Sequence, residues 1–338
     1  MKKAILKDIA QEVGVSTALV SYVLNDLEEE KRVGKEIAKK IRSTAKKLNY
    51  RPNQIAKSLK MSKTHTIGLV VASFNYRFTN GIIGSIEAEA KKNNYTVLLG
   101  SSEEDSKNFK ELINALISRQ VDGLILLPVE NSQAEIKYLK KHHLPFVLID
   151  RIFPEIETNL IALDNFKAAY QSIAHIIKTG HKRIGFINLK NSMYHLHERN
   201  RGYRQAMKDH KLSVKSGWHK EVREKNLKED LHNAISEMVN EPLSCDAIFF
   251  ATEYLTIDGL KLINAMGITV PKGLAIMSFD ESEAFELFYC PITHARQPLE
   301  EMGKAAMKTL IEVMNDRKVC KQIYLESDLI IRKSCGEN

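Results

Sequence analysis

The stretch Ile5-Leu6-Lys7-Asp8-Ile9-Ala10-Gln11-Glu12-Val13-Gly14-Val15-Ser16-Thr17-Ala18-Leu19-Val20-Ser21-Tyr22-Val23-Leu24-Asn25 decides the first domain. Ile5, Ile9 and Val13 recur at i, i+4 and i+8, with Leu6 and Ala10 beside them, and so form one apolar helical face. Gly14 permits a left-handed turn and Ser16 is a good N-cap. A second helix is expected from Thr17 to about Asn25, with Leu19, Val20, Val23 and Leu24 facing inward. Thr17, Ala18, Ser21, Tyr22 and Asn25 point the other way. A third helix, about Lys35 to Leu48, is expected to pack Ile37, Ile41, Ala45 and Leu48 beneath the pair. Its outer face carries Lys39, Lys40, Arg42, Lys46 and Lys47. A small residue at the crossing, a glycine at the turn and Val20 filling the angle describe a helix-turn-helix.

The charge distribution agrees. The 338-residue chain carries a formal net charge of +8, and residues 1–63 hold 15 Lys and Arg against 7 Asp and Glu. All of the excess positive charge therefore lies in this module, and the remainder is neutral. A small basic module joined to a large neutral one points to a nucleic-acid binder attached to something else. No stretch approaches the ~18 consecutive apolar residues of a membrane helix. The start of the chain becomes charged before a signal-peptide apolar region can form, so a cytoplasmic location is expected. Cys245, Cys290, Cys320 and Cys335 lack Cys-x-x-Cys spacing, which disfavours zinc-ribbon and thioredoxin readings.

Beyond the third helix lies Leu48-Asn49-Tyr50-Arg51-Pro52-Asn53-Gln54-Ile55-Ala56-Lys57-Ser58-Leu59. Together with Asp8-Ile9-Ala10, Gly14-Val15-Ser16 and Val20-Ser21-Tyr22-Val23-Leu24-Asn25, this run resembles the LacI/GalR family of bacterial transcription regulators. The loop holding Glu28-Glu29-Glu30 is a few residues longer than is usual there. The resemblance implies a hinge helix at about 53–59. Pro52 suits a first helical turn, and about seven residues is too short for a helix stable alone in water. It further implies that Thr17, Ala18 and Tyr22 touch base edges, while Ser16, Ser21, Asn25 and the third-helix lysines grip phosphates. Asn53, Ala56 and Leu59 would complete the interface, Leu59 as the apolar wedge of the minor groove. Tyr22 stands where the family often has Arg, so an operator differing at that base pair is expected.

From residue 64 the pattern changes to short apolar runs alternating with amphipathic ones. Strands are expected at 67–71, 96–99, 123–127, 146–149, 183–187, 247–250, 274–279, 322–325 and 328–331. Helices are expected near 79–93, 108–119, 132–142, 165–179, 199–210, 227–239, 254–265 and 299–315. Apolar strands alternating with helices mean parallel sheets covered on both faces. The pattern restarts near Asp164-Asn165. The expected fold is thus a small all-α helix-turn-helix DNA-binding domain (1–60) plus an α/β domain (64–338) of two Rossmann-like subdomains, resembling periplasmic sugar-binding proteins. The first subdomain would span about 66–163 plus 295–325, the second about 164–292 plus 326–338.

The family resemblance extends over this region through Phe146-Val147-Leu148-Ile149-Asp150-Arg151, Leu163-Asp164-Asn165, Gly180-His181-Lys182-Arg183-Ile184-Gly185-Phe186, Arg199-x-x-Gly202-Tyr203, Ser278-Phe279-Asp280-Glu281 and Ile292-Thr293-x-x-x-Gln297-Pro298. Ligands of open parallel sheets sit beyond the C-terminal strand ends. Asp150 and Asp280 end strands, and Arg199 is expected to open a helix. Two carboxylates and a guanidinium in one cleft suit sugar hydroxyls or a nucleobase edge. Phe78 is a candidate for stacking on a ring, and Thr252 stands near the cleft where the family often has Asn. The implied effector is a small polar molecule, a carbohydrate or sugar phosphate. A homodimer is expected, since nothing after Arg332 resembles the leucine-heptad tail of tetrameric members.

No phosphate-binding glycine loop, dinucleotide fingerprint, metalloprotease motif or nucleophile elbow occurs. His142-His143 and His195-x-His197 lack further ligands at metal spacing and are expected to be solvent-exposed. No cofactor, metal or membrane partner is expected. Of two function classes, an effector-controlled DNA-binding repressor and a sugar kinase carrying a helix-turn-helix, the missing phosphate loops favour the repressor.

Overall fold

A computed structural model describes residues 4–51 and 63–336. The chain divides into two compact units, Met1–Thr64 and His65–Asn338. In the first, α1 (Leu6–Val13), α2 (Thr17–Leu24) and α3 (Lys35–Lys47) enclose Ile9, Ala10, Val20, Val23, Ala38, Ile41 and Ala45. Gly14 takes the left-handed φ of 82° that the turn demands, and its N–H donates to the Ala10 carbonyl. The Ser16 hydroxyl caps α2 by accepting from the Leu19 N–H at 3.2 Å.

Two expected core residues of this unit are on its surface. Ile5 is 52% exposed because it precedes α1 as its N-cap residue, its N–H bound by the Asp8 carboxylate at 2.8 Å. Ile37 is 41% exposed, and the smaller Ala38 takes the inward position. Ala38 lies in line with Ile41 and Ala45, three and seven residues on, and that face is the one buried against the other two helices. Asn53, Ala56 and Leu59, with the rest of the expected hinge, lie outside the described residues.

The second unit contains two six-stranded sheets. One has the order β11-β5-β4-β3-β1-β2 and all of its pairings are parallel. Its strands are β1 (Thr66–Val71), β2 (Thr96–Ser101), β3 (Gly123–Leu126), β4 (Phe146–Ile149), β5 (Leu160–Leu163) and β11 (Gln322–Leu325). The other has the order β12-β10-β9-β8-β6-β7, built from β6 (Ile184–Leu189), β7 (His219–Val222), β8 (Ala247–Phe250), β9 (Ala275–Phe279), β10 (Thr293–Arg296) and β12 (Asp328–Ile330). There β12 runs antiparallel to β10.

Alternation explains the layering. In the first sheet Leu69, Ile125, Val147 and Ile161 face one core with α4 (Arg77–Lys92) and α12 (Leu299–Asn315). Val70, Leu126, Leu148 and Ala162 face another with α5 (Ser106–Ser118) and α6 (Gln133–Lys141). Burial on both faces is why these strands read as continuous apolar runs. The second sheet is covered by α7 (Asn165–Lys178), α8 (Tyr194–Asp209), α9 (Leu227–Val239) and α10 (Glu253–Ala265), with the short α11 (Ala284–Leu287) near one edge.

The sequence pattern did not resolve β5, β7 and β10 as strands. β5 has four residues, and β7, reading His-Lys-Glu-Val at the sheet edge, buries mainly Val222. Edge strands have no second neighbour and keep polar side chains. The chain passes between the sheets after Leu163, after Arg296 and after Leu325. The expected subdomain boundary at 295 falls inside β10, whose pairing with β9 holds Ala295 in the second sheet.

Candidate effector cleft and recognition surface

In the first unit, Ser16, Thr17, Ala18 and Asn25 are exposed and Ser21 and Tyr22 are half-buried. The Ser16 oxygen serves as the cap acceptor, which leaves its hydrogen free to donate. Asn25 donates through Nδ2 to the Ser21 carbonyl at 2.7 Å. The Lys31 ammonium sits 5.9 Å from the Tyr22 ring centroid. The α3 cations are not equivalent. Arg42 pairs with Asp26 at 2.9 Å and with Glu28, and Lys47 pairs with Glu12 at 2.8 Å. Lys39, Lys40 and Lys46 have no ion-pair partner among the described residues. The long acidic loop thus engages Arg42 and fastens itself to α3.

In the second unit a cleft lies between the two sheets. Asp150, directly after β4, and Asp280, directly after β9, reach it with left-handed φ angles of 65° and 67°. Asp tolerates this conformation better than most residues. Each backbone N–H donates to the adjacent strand, Asp150 to Ile161 at 2.8 Å and Asp280 to Ala295 at 2.9 Å. The turn after each strand therefore aims the carboxylate off the strand end.

Arg199 does not open its helix as expected. α8 begins at Tyr194, and Arg199 sits in its second turn. The Tyr-His-Leu-His start carries no cap signal, so the sequence masked the first turn. A Cβ at Gly202, one turn on, would collide with the Phe166 carbonyl oxygen of α7. Glycine there lets α8 press against α7, which brings Arg199 beside Asn165. Its Nε donates to Asn165 Oδ1 at 2.9 Å and its Nη1 to the Ala251 carbonyl at 2.6 Å. Asp280 Oδ2 lies 3.7 Å from Nη1, and the guanidinium stacks 3.5 Å from the Phe279 ring centroid. Only 2% exposed, this guanidinium has its pKa lowered by burial, opposed by Asp280 and Asp150.

The structure brings Phe78, Asp150, Arg199, Thr252 and Asp280 to one cleft. Thr252 is also the N-cap of α10, its hydroxyl accepting from the Leu255 N–H at 3.2 Å. The cleft adds residues that sequence reasoning missed. Arg151 binds Glu104 through both terminal nitrogens, at 2.8 and 2.7 Å. Burial, the largest single influence, would lower its pKa, but the bonding and charge of Glu104 together with Asp150 and Tyr76 raise it overall. Tyr76 donates to Glu224 Oε1 at 2.8 Å and meets Tyr254 edge-on at 6.1 Å between ring centroids. Gln297 donates to Asp280 Oδ1 at 2.6 Å.

His195, expected to be exposed, is buried in the cleft wall while His197 is exposed. Burial, then Arg199 and Arg151, hold its pKa well below the usual imidazole range, so it is neutral at pH 7. Arg151 and Gln297 stood inside recognisable motifs. Tyr76 and Glu104 carried no local signal, and His195 was read only as one of an exposed pair, because their role arises from segments far apart in sequence.

Five buried polar atoms of the lining have no hydrogen-bond partner: Thr79 Oγ1, Asp150 Oδ1, Arg151 Nε, His195 Nδ1 and Gln297 Oε1. Buried polar groups are normally satisfied, so a concentration of unsatisfied donors and acceptors in the wall of one cleft suits a polar ligand. Burial pushes the Asp150 carboxyl up to about 6. Among the described residues no group of three or more His, Cys, Asp or Glu could hold a metal ion. Among them, too, no helix is long and apolar enough to cross a membrane.

Residues 5–53 match the family model described as bacterial regulatory proteins, lacI family, and residues 173–335 match that of a periplasmic binding protein-like domain. The chain is 30% identical to the ribose operon repressor of Haemophilus influenzae, over 98% of each chain. It is 28% identical, over 98% of each, to the transcriptional repressor PurR of the same species. Among solved structures, the lac repressor dimer bound to operator and the anti-inducer ONPF aligns with a TM-score of 0.88 at 20% identity, covering 99% of this chain and all of that one. The complex of the transcriptional regulator CelR with cellobiose aligns with a TM-score of 0.72 at 24% identity, covering 98% of this chain and all of that one.

Proposed function

Because this chain belongs to the LacI family of bacterial regulatory proteins, we propose that it is a homodimeric repressor of a two-fold symmetric operator, controlled by a carbohydrate bound in the cleft of its second unit. Its relatives are transcription regulators over nearly their whole length, and so the chain is a regulator and not an enzyme.

The observation that carries the effector reading is the set of five unpartnered polar atoms around one cleft, flanked by the Tyr76, Phe78 and Tyr254 rings. A sugar offers hydroxyls that donate and accept at once, plus a weakly polar ring face for an aromatic side chain. Asp150, Arg199 and Asp280 orient it, Phe78 lies against it, and Thr252 contributes from the start of α10. The names of two similar proteins, a ribose operon repressor and a cellobiose complex, support the same chemical class.

On DNA, Thr17, Ala18 and Tyr22 read base edges. Ser16, Ser21, Asn25 and the α3 lysines without an ion pair among the described residues hold phosphates, and Asn53, Ala56 and Leu59 act at the minor groove. A ligand that draws the two sheets together shifts operator affinity. A coupling of roughly 1–3 kcal/mol suffices for a 5–150-fold change.

Selecting binding sites from random DNA tests the DNA half. The expected consensus has two-fold symmetry, and a consensus without it overturns the dimeric-operator reading.

A further inference from the structure

The cleft is unbalanced in charge. Glu104, Asp150, Glu224, Glu253 and Asp280 line it, against two guanidiniums, Arg151 and Arg199. Both guanidiniums already face carboxylates. Arg151 gives both terminal nitrogens to Glu104, and its Nε lies 3.8 Å from Asp150 Oδ2. Arg199 is directed at Asn165, the Ala251 carbonyl and Asp280. His195 is neutral and adds no positive charge. The first turn of α10, which reaches the cleft with a positive helix end, already carries Glu253.

Glu104 is held in place by an unusual backbone. Glu103 and Glu104 both adopt left-handed φ angles, 48° and 55°. Non-glycine residues keep this conformation only where surrounding bonds enforce it. Here Ser102 N–H donates to the Val71 carbonyl and Glu104 N–H to the Ala72 carbonyl, each at 2.9 Å. Ser73 Oγ draws the Glu103 carboxylate to itself at 2.9 Å, while the Glu104 carboxylate turns to Arg151. The loop after β2 therefore serves to place one acid on one arginine.

We propose that the Glu104–Arg151 pair makes the cleft reject anions, so that the effector is a polyhydroxylated molecule bearing neither phosphate nor carboxylate, with Glu104 as the residue setting this specificity. This rests on the cleft being the effector site. A phosphate or carboxylate would have to displace Glu104 from Arg151 and leave that acid unpaired beside four others. Like charges brought together in this way weaken binding steeply, by on the order of 100-fold. A hydroxyl makes no such demand. Being uncharged, it can donate to a carboxylate and accept from a donor at once, without either ion of the pair leaving its partner.

Matched probes on the full chain test this, read by thermal shift and calorimetry: D-ribose against D-ribose 5-phosphate, and D-glucose and cellobiose against D-glucose 6-phosphate and D-glucuronate. The expected result is binding of at least one neutral sugar, with the anionic probes at least about 100-fold weaker. Glu104→Gln frees the Arg151 nitrogens and should strengthen binding of an anionic probe at least tenfold. The double variant Glu104→Gln/Arg151→Gln frees no cation and should remain blind to it. Wild-type binding of a phosphate or glucuronate as tight as that of any neutral sugar overturns the proposal and leaves the cleft reading standing. Wild-type discrimination without the gain in Glu104→Gln overturns the role of Glu104. If that variant does not fold, the matched pairs on the wild type decide alone. No shift with any probe on any of the three proteins overturns the cleft reading itself, and this proposal with it.

Discussion

Asp150 and Asp280 occupy the same place in two copies of one architecture. Each follows a central parallel strand, each has a left-handed φ near 66°, and each donates its N–H to the neighbouring strand. Their surroundings differ. Asp280 is met by Gln297 at 2.6 Å and by Arg199. Asp150 lies beside an arginine already committed to Glu104, has one oxygen without a partner, and is pushed up to about 6 by burial. Identical backbone geometry thus yields one satisfied carboxylate and one that is short of partners. The partners from the rest of the fold, not the strand end, set the chemistry. On the proposed reading of the cleft, the unsatisfied half is where a ligand hydroxyl gains most.

Arg199→Ala strikes the satisfied half and has the largest expected effect. It leaves Asp280, Asn165 and the Ala251 carbonyl without their cation. Removing one partner of a buried charged pair costs about 3–5 kcal/mol. Urea unfolding of the full chain should show a loss of that order, and a loss below about 1 kcal/mol would mean that Asp280 is satisfied without Arg199.

Asp150→Asn probes the other half and should have the opposite sign. A carboxyl raised from 3.8 to about 6 in the folded state favours folding in its protonated form. Its contribution is fully present below pH ~4 and is lost as pH rises through about 6. At pH 7 the asparagine variant escapes that loss and should be more stable by on the order of 1–3 kcal/mol. At pH 4 the gain should nearly vanish. Denaturation at both pH values checks this, and an equal gain at each would rule out the buried-charge account.

Tyr76→Phe tests how the halves communicate and carries the smallest effect. Tyr76 belongs to the half with Asp150, Glu224 to the half with Asp280, and their 2.8 Å hydrogen bond crosses the cleft. A double-mutant cycle with Glu224→Gln should give a coupling of about 0.5–1.5 kcal/mol. A coupling of zero would show that the two halves are held together elsewhere, for example by Glu130, which accepts from the Ser192 backbone and hydroxyl at 2.5 and 2.6 Å.

Much of this molecule is set by local pattern, which sequence carries directly. The glycine turn at Gly14, the cap at Ser16, the two apolar periodicities and the concentration of positive charge in residues 1–63 fix the helix-turn-helix and the alternating α/β unit. Each depends on side chains within a few residues of one another. The positions of Asp150 and Asp280 at strand ends were legible for the same reason. Tertiary structure alone decided which acid meets which base. Glu104 reaches Arg151 across 47 residues, Tyr76 reaches Glu224 across 148, and Arg199 finds Asn165 because Gly202 lets two helices close together. Charge pairing in a cleft depends on separation in space, and the sequence spells out separation only along the chain.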